Sequence, residues 1–179
     1  ISMKLDNLAK GALLLGFLAI SLAIVIGYTE PATGYELSIY TGTPTAFWTL
    51  VTFGLLISVV TVFSVSSWNL RAVGGFLGIA TMTTIVSLPI IRGYHYVGEH
   101  DPLSHFGTTK NLDAGVISMM DTPYPVVHTL GSVYHTVTGF SVRHALLLLI
   151  SLFVVLFFVF VPIVVRQLTA NNWMAYLAL

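Results

Sequence analysis

The chain has 179 residues, of which 56% are hydrophobic and only 8% are charged, and its formal net charge is zero. Soluble domains carry about 25% charged residues, so this composition supplies too little polar surface to cover a water-soluble fold. The balanced charge provides no basic surface for nucleic acid, and the absence of cysteine excludes disulfides and thiolate chemistry. The composition therefore predicts a protein whose main partner is the lipid bilayer.

Four apolar segments have the length, about 17 to 21 residues, that crosses roughly 30 Å of hydrocarbon. None of them contains an ionisable residue. We expect transmembrane helices at residues 11–27, 46–66, 72–91 and 145–165. The first segment is longer than the apolar core of a signal peptide and lacks a small-residue cleavage site after it. The predicted fold class is an all-α polytopic membrane protein.

Basic residues near the ends of these segments favour one orientation in the cell membrane. An even alternation of the four helices places four basic residues and a single acid on the same side, namely Lys4, Lys10, Arg71, Arg166 and Asp6. Because short basic flanks stay in the cytoplasm, both termini are predicted to be cytoplasmic. The long loop 92–144 is then external.

This external loop contains all six histidines and four of the seven acids of the chain. Asp101 and Pro102 form a helix-start signature, since Asp is a preferred N-cap and Pro is favoured at the first helical position. The predicted helix runs from Pro102 to Asn111 or Leu112. Asp101 then has two interpretations: it caps the helix, or it is a catalytic or metal-binding carboxylate with Glu99 as its alternate.

A second helix is predicted from Val126 to Val137, where the sequence has a helical period. One face is apolar and consists of Val126, Leu130, Val133 and Val137. The opposite face carries His128, Ser132 and His135, and Gly139 closes the helix. This pattern is typical of a short amphipathic helix that lies on the membrane surface or under the loop.

The histidines of the loop are candidate ligands for a divalent metal ion. The residues concerned are His95, His100, His105, His128 and His135. His128 and His135 are two helical turns apart, so they do not form the i, i+4 pair that chelates one ion. The spacing of the others matches no standard zinc signature. The alternative is that these histidines are interface residues with hydrogen bonds to the loop or to water.

Several runs resemble a group of polytopic haloarchaeal membrane proteins that is itself similar to the GT-C glycosyltransferases. They are the run 92–107 (RGYHYVGEHDPLSHFG), Tyr124-Pro125-x-x-His128 with Thr138-Gly139, and the run 34–40 (GYELSIY). GT-C enzymes take a sugar from a polyprenyl-phosphate donor, and they carry an acidic external loop followed by amphipathic surface helices. In those enzymes the loop usually follows the first helix, whereas here it follows the third.

The resemblance implies a membrane-embedded glycosyltransferase that acts at the external membrane face. Asp101 or Glu99 would deprotonate the acceptor hydroxyl. Arg92, Arg143 or a histidine-bound divalent ion would hold the departing lipid phosphate. The isoprenoid tail of the donor would lie between helices.

The run 171–179 resembles the start of a fifth apolar segment, so we expect this chain to be the N-terminal part of a larger polytopic protein. Two other functions remain open. The chain is alternatively a non-catalytic scaffold or assembly subunit with the loop as a docking surface. A transporter subunit is less favoured, because no charged residue lies within a predicted membrane span.

Overall fold

A computed structural model describes residues 2–34, 36–95 and 101–169, with the side chains of residues 2–5 left out. Within these ranges the fold is all-α and contains no β-strand. The helices are α1 (Ser2–Thr29), α2 (Ile39–Gly42), α3 (Thr45–Ser64), α4 (Trp68–Val86), α5 (Leu88–Ile91), α6 (Asp101–Asp113), α7 (Pro125–Thr138) and α8 (Val142–Thr169). A short 3-10 turn, Met119–Asp121, precedes α7.

Four of these helices, α1, α3, α4 and α8, are long and apolar enough to cross a membrane. They confirm the four predicted segments and the all-α polytopic fold. The third segment is interrupted at Ser87, where α4 ends and α5 begins. Pro89 explains the break, because proline lacks an N–H and fits only the first turn of a helix. The Ser87 hydroxyl lies 3.0 Å from the hydroxyl of Ser151, and this contact connects the end of α4 to α8.

The first three long helices pack through small residues that let their backbones approach closely. A Cβ atom at Gly54 of α3 would lie 2.7 Å from Ile20 of α1. Gly74 and Gly78 of α4 face α3, where the Ser58 hydroxyl donates to the Gly74 carbonyl at 2.7 Å. Such small residues four apart are typical of helix contacts in membranes. The buried cluster at this contact consists of Leu13, Ile20, Ala23, Phe47, Val51, Leu77 and Leu88.

The long helices alternate in direction, which brings two loops to the same end of the bundle. A Cβ at Gly27, near the end of α1, would contact Phe47 at the start of α3 and Leu88 at the start of α5. The backbone N–H of Ala32 donates to the carbonyl of Arg92 at 2.9 Å. We call this end, formed by residues 30–34, 36–44, 92–95 and 101–141, the loop end. The loop end carries α6, α7 and the start of α8.

Both helices predicted within the long loop are present, as α6 and α7. The face assignment of α7 is confirmed, since His128 is buried while the apolar face is exposed (Val126, Leu130, Val133 and Val137). Gly139 ends α7 with a φ of 73°, a left-handed conformation that favours glycine. The predicted fifth segment at 171–179 lies outside the described residues.

Candidate functional site

A groove of about 440 Å³ opens at the loop end between α6, α7 and the first three turns of α8. Its polar part consists of His95, Asp101, His105, Tyr124 and Arg143, and its apolar walls are Pro102, Phe106, Val127, Leu146, Leu147, Leu149, Ile150 and Phe153. The groove therefore combines charged and imidazole groups with an extended apolar surface.

The structure thus brings four of the predicted site residues together in one groove: His95, Asp101, His105 and Arg143. Of the others, His128 lies behind His105, and His135 and Arg92 lie elsewhere at the loop end. Glu99 and His100 fall outside the described residues.

Asp101 begins α6 at the mouth of the groove, and its side chain is 84% exposed. Its Oδ2 atom lies 3.4 Å from Nε2 of His105, one helical turn further along. The two interpretations of Asp101, as a helix cap and as a catalytic or metal-binding carboxylate, therefore explain different observations. Capping accounts for its place at the helix start, whereas the contact with His105 gives the carboxylate a polar partner inside the groove. Its exposure also leaves it accessible to a bound molecule.

His105 links the groove to a buried histidine on α7. Its Nδ1 atom lies 2.8 Å from Nε2 of His128, so the two imidazoles share a hydrogen bond. His128 is only 1% exposed, and its Nδ1 has no hydrogen-bond partner among the described residues. Burial, together with the neighbouring His105, lowers the pKa of His128 from its ordinary value. This shift favours the neutral form of His128.

Gly131 allows α7 to approach its neighbours closely enough for this contact. A Cβ atom at this position would lie 2.8 Å from Leu146 of α8 and 3.1 Å from Thr109 of α6. Gly131 is one turn after His128, so both residues face the same side of α7. A larger residue would push α7 away from α6 and lengthen the bond between His105 and His128.

Tyr124 precedes α7 with an unusual backbone conformation. Its φ of 56° makes it the one non-glycine residue with positive φ in the described ranges. This conformation is disfavoured for residues with a Cβ atom. The Tyr124 ring lines the groove, with its centroid 6.2 Å from that of His105. Outliers of this kind cluster at functional sites, and sequence patterns alone gave no signal for this one.

Arg143, in the first turn of α8, is the cation of the groove. Its Nη1 donates to Nδ1 of His95 and its Nη2 to Nε2 of His144, each at 2.9 Å. Because His144 accepts through Nε2, its proton lies on Nδ1, which donates to the Ser141 hydroxyl at 2.8 Å. No carboxylate of the described residues lies within 4 Å of Arg143. The imidazoles orient the guanidinium without neutralising its charge.

Arg92 is also at the loop end but does not line the groove. It is 3% exposed and forms a two-pronged ion pair with Glu36, with N–O distances of 2.8 and 2.9 Å. Its Nε donates to the Glu30 carbonyl at 2.9 Å, and Nη1 donates to Thr43 and Tyr94. The Tyr94 hydroxyl in turn donates to Glu36. This network joins the loop 30–44 to the end of α5.

His135 belongs to a separate cluster between α6 and α7. Its Nε2 lies 3.4 Å from Asp113, which also accepts a hydrogen bond of 2.9 Å from the Ser132 hydroxyl. Its Nδ1 contacts the Phe140 carbonyl. These contacts fasten α7 to the end of α6. Among the residues that the structure describes, no group of three or more histidines and acids could hold a metal ion.

Comparison with known proteins adds no family to this description. No protein family model, curated protein or solved structure matches the chain. The function therefore has to be argued from the groove and the membrane-spanning helices alone.

Proposed function

We propose that the groove binds the phosphate group of a polyprenyl-phosphate-linked sugar and that the chain takes part in glycosyl transfer at the external membrane face. The observation that supports this most directly is the combination, in one groove, of a cation with no acidic partner among the described residues, an accessible carboxylate and an apolar wall. A lipid-linked sugar phosphate needs all three environments: an anion site, a base for the acceptor and a path for the tail.

Arg143 is the proposed phosphate ligand. A guanidinium offers paired N–H groups that match the geometry of a phosphate. It lies in the first turn of α8, where the helix dipole also favours an anion. His95 and His144 hold it in place, and a phosphate would supply the negative charge that no described side chain supplies. Arg92 is less suited to this role because Glu36 already neutralises it.

The apolar wall of the groove is the proposed path for the first part of the isoprenoid tail. Leu146, Ile150 and Phe153 follow one another along α8 below Arg143. With a rise of 1.5 Å per residue, the distance from Arg143 to Phe153 is about 15 Å along the helix axis. Most of α8 beyond this point is exposed, so a tail that leaves the groove would enter the bilayer directly.

Asp101 is the proposed general base, with Glu99 as its alternate. In an inverting transfer the acceptor oxygen attacks the anomeric carbon of the sugar, and its proton passes to the carboxylate. The bond from that carbon to the phosphate oxygen breaks, and the electron pair stays on the lipid phosphate. Arg143 would stabilise the charge that develops there.

The proposal requires the loop end to face the outside of the cell. Because the chain has no cysteine, single cysteines can report the orientation without background. We expect an impermeant thiol reagent to label Asn111→Cys and Thr138→Cys in intact cells, both at exposed positions of the loop end. Asn69→Cys and Gln167→Cys, at the opposite end, should react only after the cells are opened. The reverse pattern would contradict the external site.

Substitution of the carboxylate tests the chemistry. Membranes that contain the whole natural protein are supplied with a polyprenyl-phosphate hexose labelled in its sugar, and transfer to membrane acceptors is measured. Asp101→Asn should express normally, because Asn caps a helix about as well as Asp. It should lose about 10²- to 10⁴-fold in rate, because the base is removed.

Asp113→Asn is the matched control, since Asp113 lies outside the groove and contacts Ser132 and His135. It should retain the rate of the unmodified protein. Full activity in both Asp101→Asn and Glu99→Gln would disprove the catalytic assignment. If the unmodified protein transfers no sugar from any lipid-linked donor, the scaffold function takes the place of this proposal.

A further inference from the structure

The carboxylate of Asp101 is highly exposed, yet a base has to point at its substrate. An exposed aspartate at a helix start samples several rotamers. A group that can restrict it is Nε2 of His105, 3.4 Å from Oδ2. An N–H on this nitrogen attracts the carboxylate, whereas a bare lone pair repels it. The orientation of Asp101 therefore depends on which nitrogen of His105 carries the proton.

We propose that His128 fixes the tautomer of His105 and is thereby a positioning residue for the Asp101 carboxylate. The 2.8 Å contact between Nδ1 of His105 and Nε2 of His128 requires one donor and one acceptor. If His128 donates, His105 accepts on Nδ1 and its own proton lies on Nε2, toward Asp101. This inference rests on the proposed function for its catalytic meaning, but the protonation pattern can be measured independently.

The surroundings of His128 favour the arrangement in which it donates. Its other nitrogen, Nδ1, is buried and has no partner among the described residues. If His128 accepted instead, its proton would have to lie on this Nδ1, and a buried N–H would remain unpaired. The same change would leave Nε2 of a neutral His105 bare and facing a carboxylate. Both consequences are unfavourable, because buried donors are normally paired and an imidazole lone pair repels a carboxylate oxygen.

Nitrogen NMR of the whole protein in lipid nanodiscs, labelled with ¹⁵N in its histidines, tests the assignment directly. At pH 7.5 we expect His105 to be protonated on Nε2 and bare on Nδ1, and His128 to be protonated on Nε2. His128→Gln should keep the Nε2–H form of His105, because an amide N–H can replace the imidazole donor. His128→Phe should shift His105 toward a mixture of tautomers. His135→Gln, on the same helix, should leave His105 unchanged.

If His128 positions Asp101, substitutions of His128 should also change the rate of sugar transfer from a lipid-linked donor. His128→Phe should lower kcat about 10- to 100-fold, as is usual when a partner that orients a functional group is removed. KM should stay within about twofold, because His128 does not line the groove. His128→Gln should recover most of kcat. A purely structural role would predict that Phe, which fills the buried site, is tolerated better than Gln.

The measurements separate this inference from the proposed function. A His105 protonated on Nδ1 in the unmodified protein would overturn the inference whatever the activity, as would an unchanged tautomer in His128→Phe. If His128→Phe does not fold, the unmodified protein and His128→Gln still decide the assignment. The expected tautomers together with no sugar transfer would refute the proposed function and leave the positioning of Asp101 by His128 in place.

Discussion

Arg92 and Arg143 lie at the same end of the bundle, but their surroundings differ in the one respect that decides their roles. Arg92 is buried and paired with Glu36, and carbonyl and hydroxyl groups occupy further donors of its guanidinium. Arg143 is half-buried and held by two imidazoles, which accept hydrogen bonds but carry no negative charge. The first arginine completes a closed network, and the second lies at a groove where no described acid balances its charge.

This difference shows that residue type and position in the sequence are not sufficient to identify an anion site. Both arginines flank the long loop, and the resemblance to glycosyltransferases assigned both to phosphate binding. A buried guanidinium must have its charge balanced, and Glu36 provides that balance for Arg92. The comparison therefore favours Arg143 as the proposed phosphate ligand. Arg92 has the structural role of joining two loops.

The largest loss of stability is expected when the ion pair between Arg92 and Glu36 is broken. Arg92→Gln should destabilise the protein by about 3–5 kcal/mol, because it leaves the partly buried Glu36 carboxylate without its cationic partner. Arg143→Gln should cost less than about 1 kcal/mol, because no ion pair of the described residues is lost. Thermal unfolding in detergent micelles measures both variants under the same conditions.

The double variant Arg92→Gln with Glu36→Gln serves as the control for this prediction. It removes both charges, so part of the stability lost in Arg92→Gln should return. Equal losses in Arg92→Gln and Arg143→Gln would mean that the two arginines are not distinguished by their partners. The structural role assigned to Arg92 would then have to be abandoned.

The sequence was sufficient to predict the elements of the fold whose formation depends on local composition. Length and the lack of charge gave the four membrane-spanning helices, and periodicity gave the buried histidine face of α7. The break at Ser87 was missed, although Pro89 signals it. The close contacts of Gly54, Gly74 and Gly78 were also missed, because small residues acquire meaning only when a neighbouring helix approaches.

The site was predicted less completely, for a physical reason. The sequence selected His105, Asp101 and Arg143, but their grouping depends on how α6, α7 and α8 pack. The partner of Arg92 is 56 positions away along the chain, and no local pattern connects it with Glu36. The apolar wall from Leu146 to Phe153 is composed like any lipid-facing helix. Only the folded chain shows that this surface continues into a polar cavity.

A smaller effect should distinguish the Arg92 network from the groove. Only the region that contains His128 and His105 should lose stability as the pH falls. Among the described residues, the Arg92 network contains no histidine, whereas His128 and His105 face each other behind the groove. Burial lowers the pKa of His128 below 6.5, so between that lowered value and pH 6.5 the unfolded state binds more protons than the folded state. The stability contributed by neutral His128 is therefore complete above pH 6.5 and is lost as the pH falls through the folded-state pKa.

Hydrogen exchange of the α7 amides, corrected for the intrinsic effect of pH, measures this loss as local opening. Between pH 7.5 and 5.5 the free energy of opening of α7 should fall by at most about 1.4 kcal/mol per pH unit within the window. His128→Gln, which cannot be protonated, should remove the dependence, and the amides of α3 should show none. An opening free energy of α7 that is constant or rises as the pH falls would mean that His128 is not held neutral by burial. In that case the contrast between a closed arginine network and a proton-sensitive groove would disappear.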